Sequence, residues 1–399
     1  MFNTTNGRMR MGLRKVAVVG HGIAGITTAY FLAKRGIEVD IYDRNKSVAL
    51  PPACSYQNGG QISVSNSEVW NTWDNVFRGL GWLFKKDAPL ALRPDVISWD
   101  KIKWLAGFVG ATITNSYGRN TRKTIQYALR SRELMLELED EIGIQYDVKK
   151  EGIVHIYRNG AAYKHALHAI QMFEDTGWDV EDYPIDNITD IKTQGIKGAT
   201  LCNDDFNGDI HLFCNALYNH MKTNYRVIKY ENDVTQYQTT EVGNMGLDTL
   251  CGMYDEVVVA AGAWTSQLVP QCNIYPIKGY TVTLWDQSKR APKYSIIDDG
   301  KKIVTSTFSD GRFRVAGTAE LAGFEQGEPW QRITPLLDWI KDYTYIEYDG
   351  ISRHSCFRPM TPNMLPIVKK VGNVWVNSGG GHLGWTMGMA LAETIGERI

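Results

Sequence analysis

Two glycine-rich turns stand near opposite ends of this chain, GHGIAG at residues 20–25 and NSGGGHLGWTMG at 377–388. A turn of this kind that opens a helix exposes unpaired N–H groups and the positive end of the helix dipole, and so binds phosphate or another anion. The first turn has the surroundings such a site needs. KVAVVG (15–20) is a short valine-rich run suited to a strand buried on both faces, and Ile23, Ile26, Tyr30 and Ala33 follow at helical spacing, with Gly36 ending the helix. EVDIYDR (38–44) is the next strand and brings Asp43, where an acid accepts hydrogen bonds from ribose hydroxyls. Strand, G-x-G-x-x-G, helix, strand and acid in this order predict a dinucleotide unit. An acid at 43 disfavours NADP; the unit alone leaves NAD and FAD both open.

The second turn differs. No acid-terminated strand follows it, and only residues 389–399 remain beyond Gly388. It reads as the second wall of the first site, with Met387, Ala390, Leu391 and Ile395 as the buried stripe of a closing helix whose N-terminus faces the cofactor. A third candidate is Arg358, followed by Pro359. A planar guanidinium grips a carboxylate through two parallel hydrogen bonds, and the proline biases Arg358 towards extended backbone. Lys278 and Tyr280 in PIKGY are weaker: a strand lysine is usually solvated, and the tyrosine is equally a substrate contact or a core aromatic.

Composition bounds the remaining classes. The chain has 399 residues, 43% hydrophobic and 22% charged, as an ordinary globular protein of one composite or two separate domains does. A net charge of −1 argues against a nucleic-acid partner. Six cysteines without a C-x-x-C pair predict no metal site and free thiols in a reducing compartment. Arg8, Arg10, Arg14 and Lys15 ahead of an apolar run imitate a signal peptide, but the spacing of Gly20, Gly22 and Gly25 reads instead as strand, turn and helix. Residues 1–13 are expected to be a flexible extension.

The elements that position these residues are of two kinds. Helices are expected over 122–142, from Tyr163 to Gly177, and after an Asp209 cap; DEVVVAAGAW (255–264) is another buried strand ending in glycine. YPIKGYTVTL (275–284), KIVTSTF (302–308) and RFRVAGT (312–318) read as antiparallel sheet, the last two joined at Asp310–Gly311. A nucleotide-binding α/β domain is thus interrupted by an α+β domain. Residues 69–108, with Trp70, Trp73, Trp82, Trp99 and Trp104 beside lysines, suit either a membrane-facing surface or a local core.

VAVVGHGIAGITTAYFLAKRG, NGGQIS, KKDAPLALRPD, YPIKGYTVTL, RVAGTAELAGF, FRPMTPNMLPIV and GHLGWTM, in this order, resemble the bacterial-type D-amino-acid dehydrogenases of the glycine oxidase and D-amino-acid oxidase flavoprotein superfamily. The resemblance implies a doubly wound FAD-binding domain, discontinuous in sequence (14–62, 208–270 and 355–399), with an inserted substrate-binding domain built on an antiparallel sheet (63–207 and 271–354). FAD would be bound non-covalently, by Gly20, Gly22, Ile23, Ala24 and Gly25 at the pyrophosphate and by Asp43 at the ribose, with Arg44 as a further cofactor contact. Asn58, Gly59, Gly60, Gln61 and Ile62 would pass along the flavin, Val234 would meet adenine, and Ala261, Gly262, Gly380, Gly381, His382, Leu383 and Gly384 would close the cavity. Arg358 matches the arginine that holds the substrate carboxylate, with Tyr280 and His382 as further catalytic candidates. Where relatives read N-T-G-H-G-T-L-G-W-T-M, Gly380 stands for the histidine and His382 for the threonine; Asn363 and Met364 replace an aspartate and a glycine.

The reaction so implied is oxidation of a D-amino acid at Cα by hydride transfer to flavin N5, followed by hydrolysis to a 2-oxo acid and ammonia. Electrons would go to a quinone or other acceptor, in a cytoplasmic protein peripheral to the inner face of the membrane. Positioning, rather than acid–base chemistry, is what this asks of the protein. The alternatives are a glycine- or sarcosine-type oxidase using O2, a flavin-bearing tRNA-modification protein and a plain NAD dehydrogenase.

Overall fold

A computed structural model describes residues 14–51, 53–82, 90–91, 93, 96–237 and 243–399. The extension at 1–13 and most of KKDAPLALRPD lie outside the described residues. Two sheets organise the chain. The first has six strands in the spatial order Ile367–Val371, Val374–Ser378, Glu256–Val259, Lys15–Val19, Glu38–Asp43, Val227–Glu231, all parallel except the first of these. Val16 and Val18 of the opening strand enter one apolar core and Ala17 and Val19 another, so the strand is buried on both faces, as its valine run predicts. The next strand in sequence lies on one side of it and Glu256–Val259 on the other. That reversal of strand order leaves a crevice at the carboxyl end of Lys15–Val19, where the glycine turn begins.

The second sheet has nine strands, with Tyr348–Met360, Tyr275–Asp286, Arg312–Glu320, Ile303–Thr307 and Ser295–Asp298 as successive neighbours. It is antiparallel apart from two pairings: Ser295–Asp298 runs parallel to Ile153–Tyr157, and Leu90–Ala91 parallel to Arg312–Glu320. Gly311 takes φ +83° in the hairpin, as Asp310–Gly311 signals. Val282, Leu284, Phe313 and Val315 pack one face against Ile333, Leu336 and Trp339 of the helix Trp330–Tyr343. Tyr348–Met360 runs unbroken through residues 354 and 355, so Arg358 is carried by this sheet.

The helix Tyr117–Ile142 lends Leu134, Met135 and Leu138 to the core that also holds Ile26, Ile41 and Ile395. Asp209 caps the helix Ile210–Asn224, accepting from the N–H groups of His211 and Leu212. The tryptophan-rich segment divides: Trp104 is buried, its Nε1 donating to the Met360 carbonyl at 2.7 Å, whereas Trp73 and Trp99 are exposed. Phe84 and the Trp82 side chain lie outside the described residues.

Candidate active site

A cavity of about 1150 Å³ lies between the two sheets, at the crevice beyond Val19. Its volume is beyond the ~300–1,000 Å³ of an ordinary single-ligand pocket. Gly20, Gly22 and Ala24 form one end. Gly20 takes φ +103°, and a Cβ there would lie 2.5 Å from the Ala260 carbonyl oxygen; one on Gly25 would lie 1.8 Å from that of Gly20. These are the tight turn and the close helix–strand packing that a dinucleotide fingerprint requires. At Gly22 a Cβ would meet only the Ser55 hydroxyl, at 3.1 Å, so here the missing side chain keeps the helix start open. The Ser55 hydroxyl accepts the N–H of Ile23 at 2.9 Å, a cap that sequence reasoning missed because it comes from 32 residues away.

Asp43 accepts from the His21 and Asn45 N–H groups at 3.2 and 2.8 Å, which fixes its carboxylate in the cavity wall with lone pairs to spare. Arg44 lies over the Trp264 ring, 5.0 Å from its centroid, and 3.6 Å from Asp233. Val234 packs beside Tyr42 and Leu250, and Ala261 and Gly262 follow the strand Glu256–Val259; all three line the same cavity.

The NGGQIS loop is clamped to the larger sheet. Gly60, at φ +78°, donates to Asn58 Oδ1 at 2.8 Å; Ser306 Oγ donates to the Gly59 carbonyl at 2.7 Å, and Gln61 Nε2 to that of Thr305 at 2.9 Å. A Cβ on Gly59 would strike Val304 at 2.6 Å, so the loop lies flat on the strands. Ile62 is fully buried against the first core.

The second glycine turn closes the cavity by a different route from the one its sequence predicts. Gly379 and Gly381 have φ of +79° and +59°, and a Cβ on Gly380 would lie 2.8 Å from the Gly384 Cα. These left-handed positions interrupt helical backbone, so a single 3-10 turn, Gly381–Leu383, intervenes and the helix begins only at Gly388. His382 is therefore not at a helix start. Its ring stacks on Trp70 with centroids 4.5 Å apart, and its Nε2 is buried without a hydrogen-bond partner among the described residues. Burial first, and then the charge of Arg358, push its pKa down to about 3, so the ring is neutral.

Arg358 projects into the cavity from Tyr348–Met360. Its one protein hydrogen bond among the described residues is a 3.4 Å donation to the Thr318 carbonyl, and no carboxylate there pairs with it. The buried Arg314, by contrast, is engaged by Asp209, Thr283 and Asn58. Room for the Arg358 guanidinium comes from Gly279 on the neighbouring strand, where a Cβ would lie 2.5 Å from Cζ. Tyr280 belongs to the core face instead: it packs with Val282 and Leu336, and its hydroxyl donates to Glu320 at 2.5 Å. Lys278 is buried and donates to the Gly327 carbonyl at 2.6 Å.

A cradle at a switch-point helix, joined in one cavity to an arginine with no carboxylate partner among the described residues, fits an enzyme that binds a dinucleotide and an acidic substrate together. Residues 15–398 match the family described as DAO, FAD dependent oxidoreductase, and the chain belongs to that family. It is 35% identical over 405 residues to D-amino acid dehydrogenase 3 of Mesorhizobium japonicum, with 96% of each chain covered, and 31% identical to D-amino acid dehydrogenase of Dechloromonas aromatica, again with 96% of each. Its fold is similar to those of glycine oxidase from Geobacillus kaustophilus (TM-score 0.70, 16% identity, covering 96% of this chain and 95% of that one) and L-proline dehydrogenase from P. horikoshii (TM-score 0.69, 14% identity, 96% and 92%). The mixed α/β fold and the dependence on FAD expected from the sequence are thereby shown.

Proposed function

We propose that this protein oxidises a D-amino acid to its imino acid, which water hydrolyses to a 2-oxo acid and ammonia. The observation that carries this reading is the cavity-lining Arg358, which has no carboxylate partner among the described residues and is kept clear by Gly279. Bound non-covalently, FAD would supply the acceptor for the hydride leaving Cα. Gly20, Gly22, Ile23, Ala24 and Gly25 would hold its pyrophosphate, Asp43 its ribose with Arg44 beside it, Val234 its adenine, and the loop 58–62 with Ala261, Gly262 and the turn 380–384 the remainder.

Arg358 takes the substrate carboxylate bidentately and so orients Cα. The amine must be neutral to release a hydride. Burial and the Arg358 charge, which together keep His382 unprotonated, disfavour a second cation in the same wall and thus favour that neutral amine. His382 Nε2, enclosed and without a partner among the described residues, is the group offered to it.

Electrons leave to a quinone or other non-oxygen acceptor. Ile97 and Ile102 line the cavity and are also exposed, beside exposed Trp73, Phe77 and Trp99. This apolar rim supports peripheral contact with the cytoplasmic face of a membrane; among the described residues no helix is long and apolar enough to cross one. A panel of D- and L-amino acids, glycine, sarcosine and D-proline, assayed with an artificial acceptor and with O2, tests the reading. Turnover of D-amino acids with the acceptor is expected. Preference for glycine or sarcosine with rapid reoxidation in air would replace it with the oxidase reading.

A further inference from the structure

Cys54 and Cys356 are 302 positions apart in sequence, yet their sulfurs are 2.7 Å apart in the wall of the cavity. Among the described residues no other two cysteines are hydrogen-bonded. Each belongs to a different part of the site. Cys54 precedes Ser55, the cap of the first helix; Cys356 faces Gly279 across the sheet register and lies on the same strand face as Arg358, two residues on.

We propose that these two cysteines form a dithiol site that a hydroperoxide oxidises reversibly to a disulfide, tying the nucleotide-binding segment to the strand that carries Arg358. Their chemistry is asymmetric in the sense the reaction needs. The hydrogen bond from Cys54 favours the thiolate of Cys356 most; burial opposes it and the Arg358 charge adds to it, while the same bond and burial hold Cys54 protonated. The remaining four thiols are pushed upward by burial. Cys356 gives up its proton, and its sulfur attacks one oxygen of hydrogen peroxide; the O–O bond breaks, Cys356 becomes a sulfenic acid, and hydroxide takes that proton as water. The Cys54 sulfur then attacks Sγ of Cys356, forming the S–S bond and breaking S–O, and the second hydroxide leaves as water with the Cys54 proton. Two thiols lose two electrons and the peroxide gains them. The sulfurs already touch, so closure needs side-chain adjustment rather than rearrangement of either segment.

This site is independent of the substrate reading, because its readout is sulfur chemistry. The FAD-loaded protein is exposed to hydrogen peroxide, quenched with catalase, and alkylated in denaturant. The thiol titre is expected to fall by two, a non-reduced digest to contain a peptide pair joining residues 54 and 356, and dithiothreitol to restore both thiols. In Cys54→Ser the same treatment leaves a dimedone-reactive sulfenic acid at Cys356. A wild-type holoenzyme that keeps all its thiols, or oxidises a different cysteine first, overturns the proposal. So does a loss of two thiols that persists in Cys54→Ser; the wild-type peptide map decides the matter if that variant does not fold.

Discussion

Replacing Gly279 with alanine isolates the role of Arg358 without touching it. The added methyl carbon would lie 2.5 Å from Cζ and from one terminal nitrogen of Arg358, and 2.9 Å from Nε. Restoring an ordinary contact of ~3.5 Å moves the guanidinium by about 1 Å. Gly279 is not at a positive φ, so the alanine backbone is unstrained, and what must yield is the end of a flexible side chain rather than another strand. Stability should therefore change by less than about 1 kcal/mol. A displacement of ~1 Å in a positioning group costs on the order of 10²-fold in rate, about 2.7 kcal/mol of transition-state stabilisation.

The assay is kcat/KM for D-alanine with an artificial acceptor, beside flavin content and urea midpoint. The expected result is a ~10²-fold lower kcat/KM with both controls near wild type. In Arg358→Ala the same substitution should add little, because the two act through one group. A Gly279→Ala enzyme within about twofold of wild type, or a full additional loss in the Arg358→Ala background, would refute the assignment of Arg358 to the carboxylate.

Other perturbations separate the parts of the site. Arg358→Ala should cost about 2–5 kcal/mol in kcat/KM, expressed mainly in KM, with Arg358→Lys recovering only part because an ammonium cannot bind bidentately; an unchanged KM counts against it. Gly22→Ala should fold and lose flavin absorbance per chain, whereas Gly20→Ala, strained at φ +103° and 2.5 Å from a carbonyl, should lose ~1–3 kcal/mol in urea unfolding; equal behaviour of the two would break the distinction. His155, His354 and His382 have pKa values pushed by burial to about 4, 4 and 3, from 6.5. The unfolded chain therefore binds more protons between those values and 6.5, so their contribution is present above pH 6.5 and is lost as pH falls towards 4. Each steepens the loss by up to about 1.4 kcal/mol per pH unit, and a urea midpoint flat from pH 7.5 to 5 would contradict this. Finally, Phe77→Ser with Trp99→Ser should reduce co-sedimentation with anionic liposomes by ~10-fold or more, from side chains worth ~1.5–3 kcal/mol each if buried; undiminished binding removes these residues from the proposed contact.

What was legible in the sequence was what is local. The valine run, the glycine spacing and Asp43 fall within 29 residues (15–43), and each reports on backbone geometry that its neighbours complete. Arg358 was legible because Pro359 and the adjoining motif mark the strand. The antiparallel hairpins announced themselves through Asp310–Gly311, but the parallel pairing of Ser295–Asp298 with Ile153–Tyr157 did not, since parallel neighbours share no turn. Tyr280 shows the limit most sharply. Its residue type suits substrate binding as well as a core, and only the strand face, fixed by register with Arg312–Glu320, assigns its hydroxyl to Glu320.

The glycines carry the argument further. Gly20, Gly279 and Gly381 look alike in sequence, but each removes a different clash: with the Ala260 carbonyl just beyond a neighbouring strand, with the guanidinium of Arg358, and with Met360 Sδ. The first is recognisable because its contact recurs wherever a parallel strand opens a dinucleotide helix. The second depends on Cys356 lying opposite Gly279 and on Arg358 following two residues later, and nothing near Gly279 encodes that. The third turns the chain so that His382 lands on Trp70, more than three hundred positions earlier. There the ring lines the cavity stacked on Trp70, and burial with the Arg358 charge keeps it neutral. With His382 proposed to face the substrate amine, His382→Thr should change the ranking of amine substrates in kcat/KM while the proposed grip of Arg358 on the carboxylate stays in place; an unchanged ranking counts against that role of the ring.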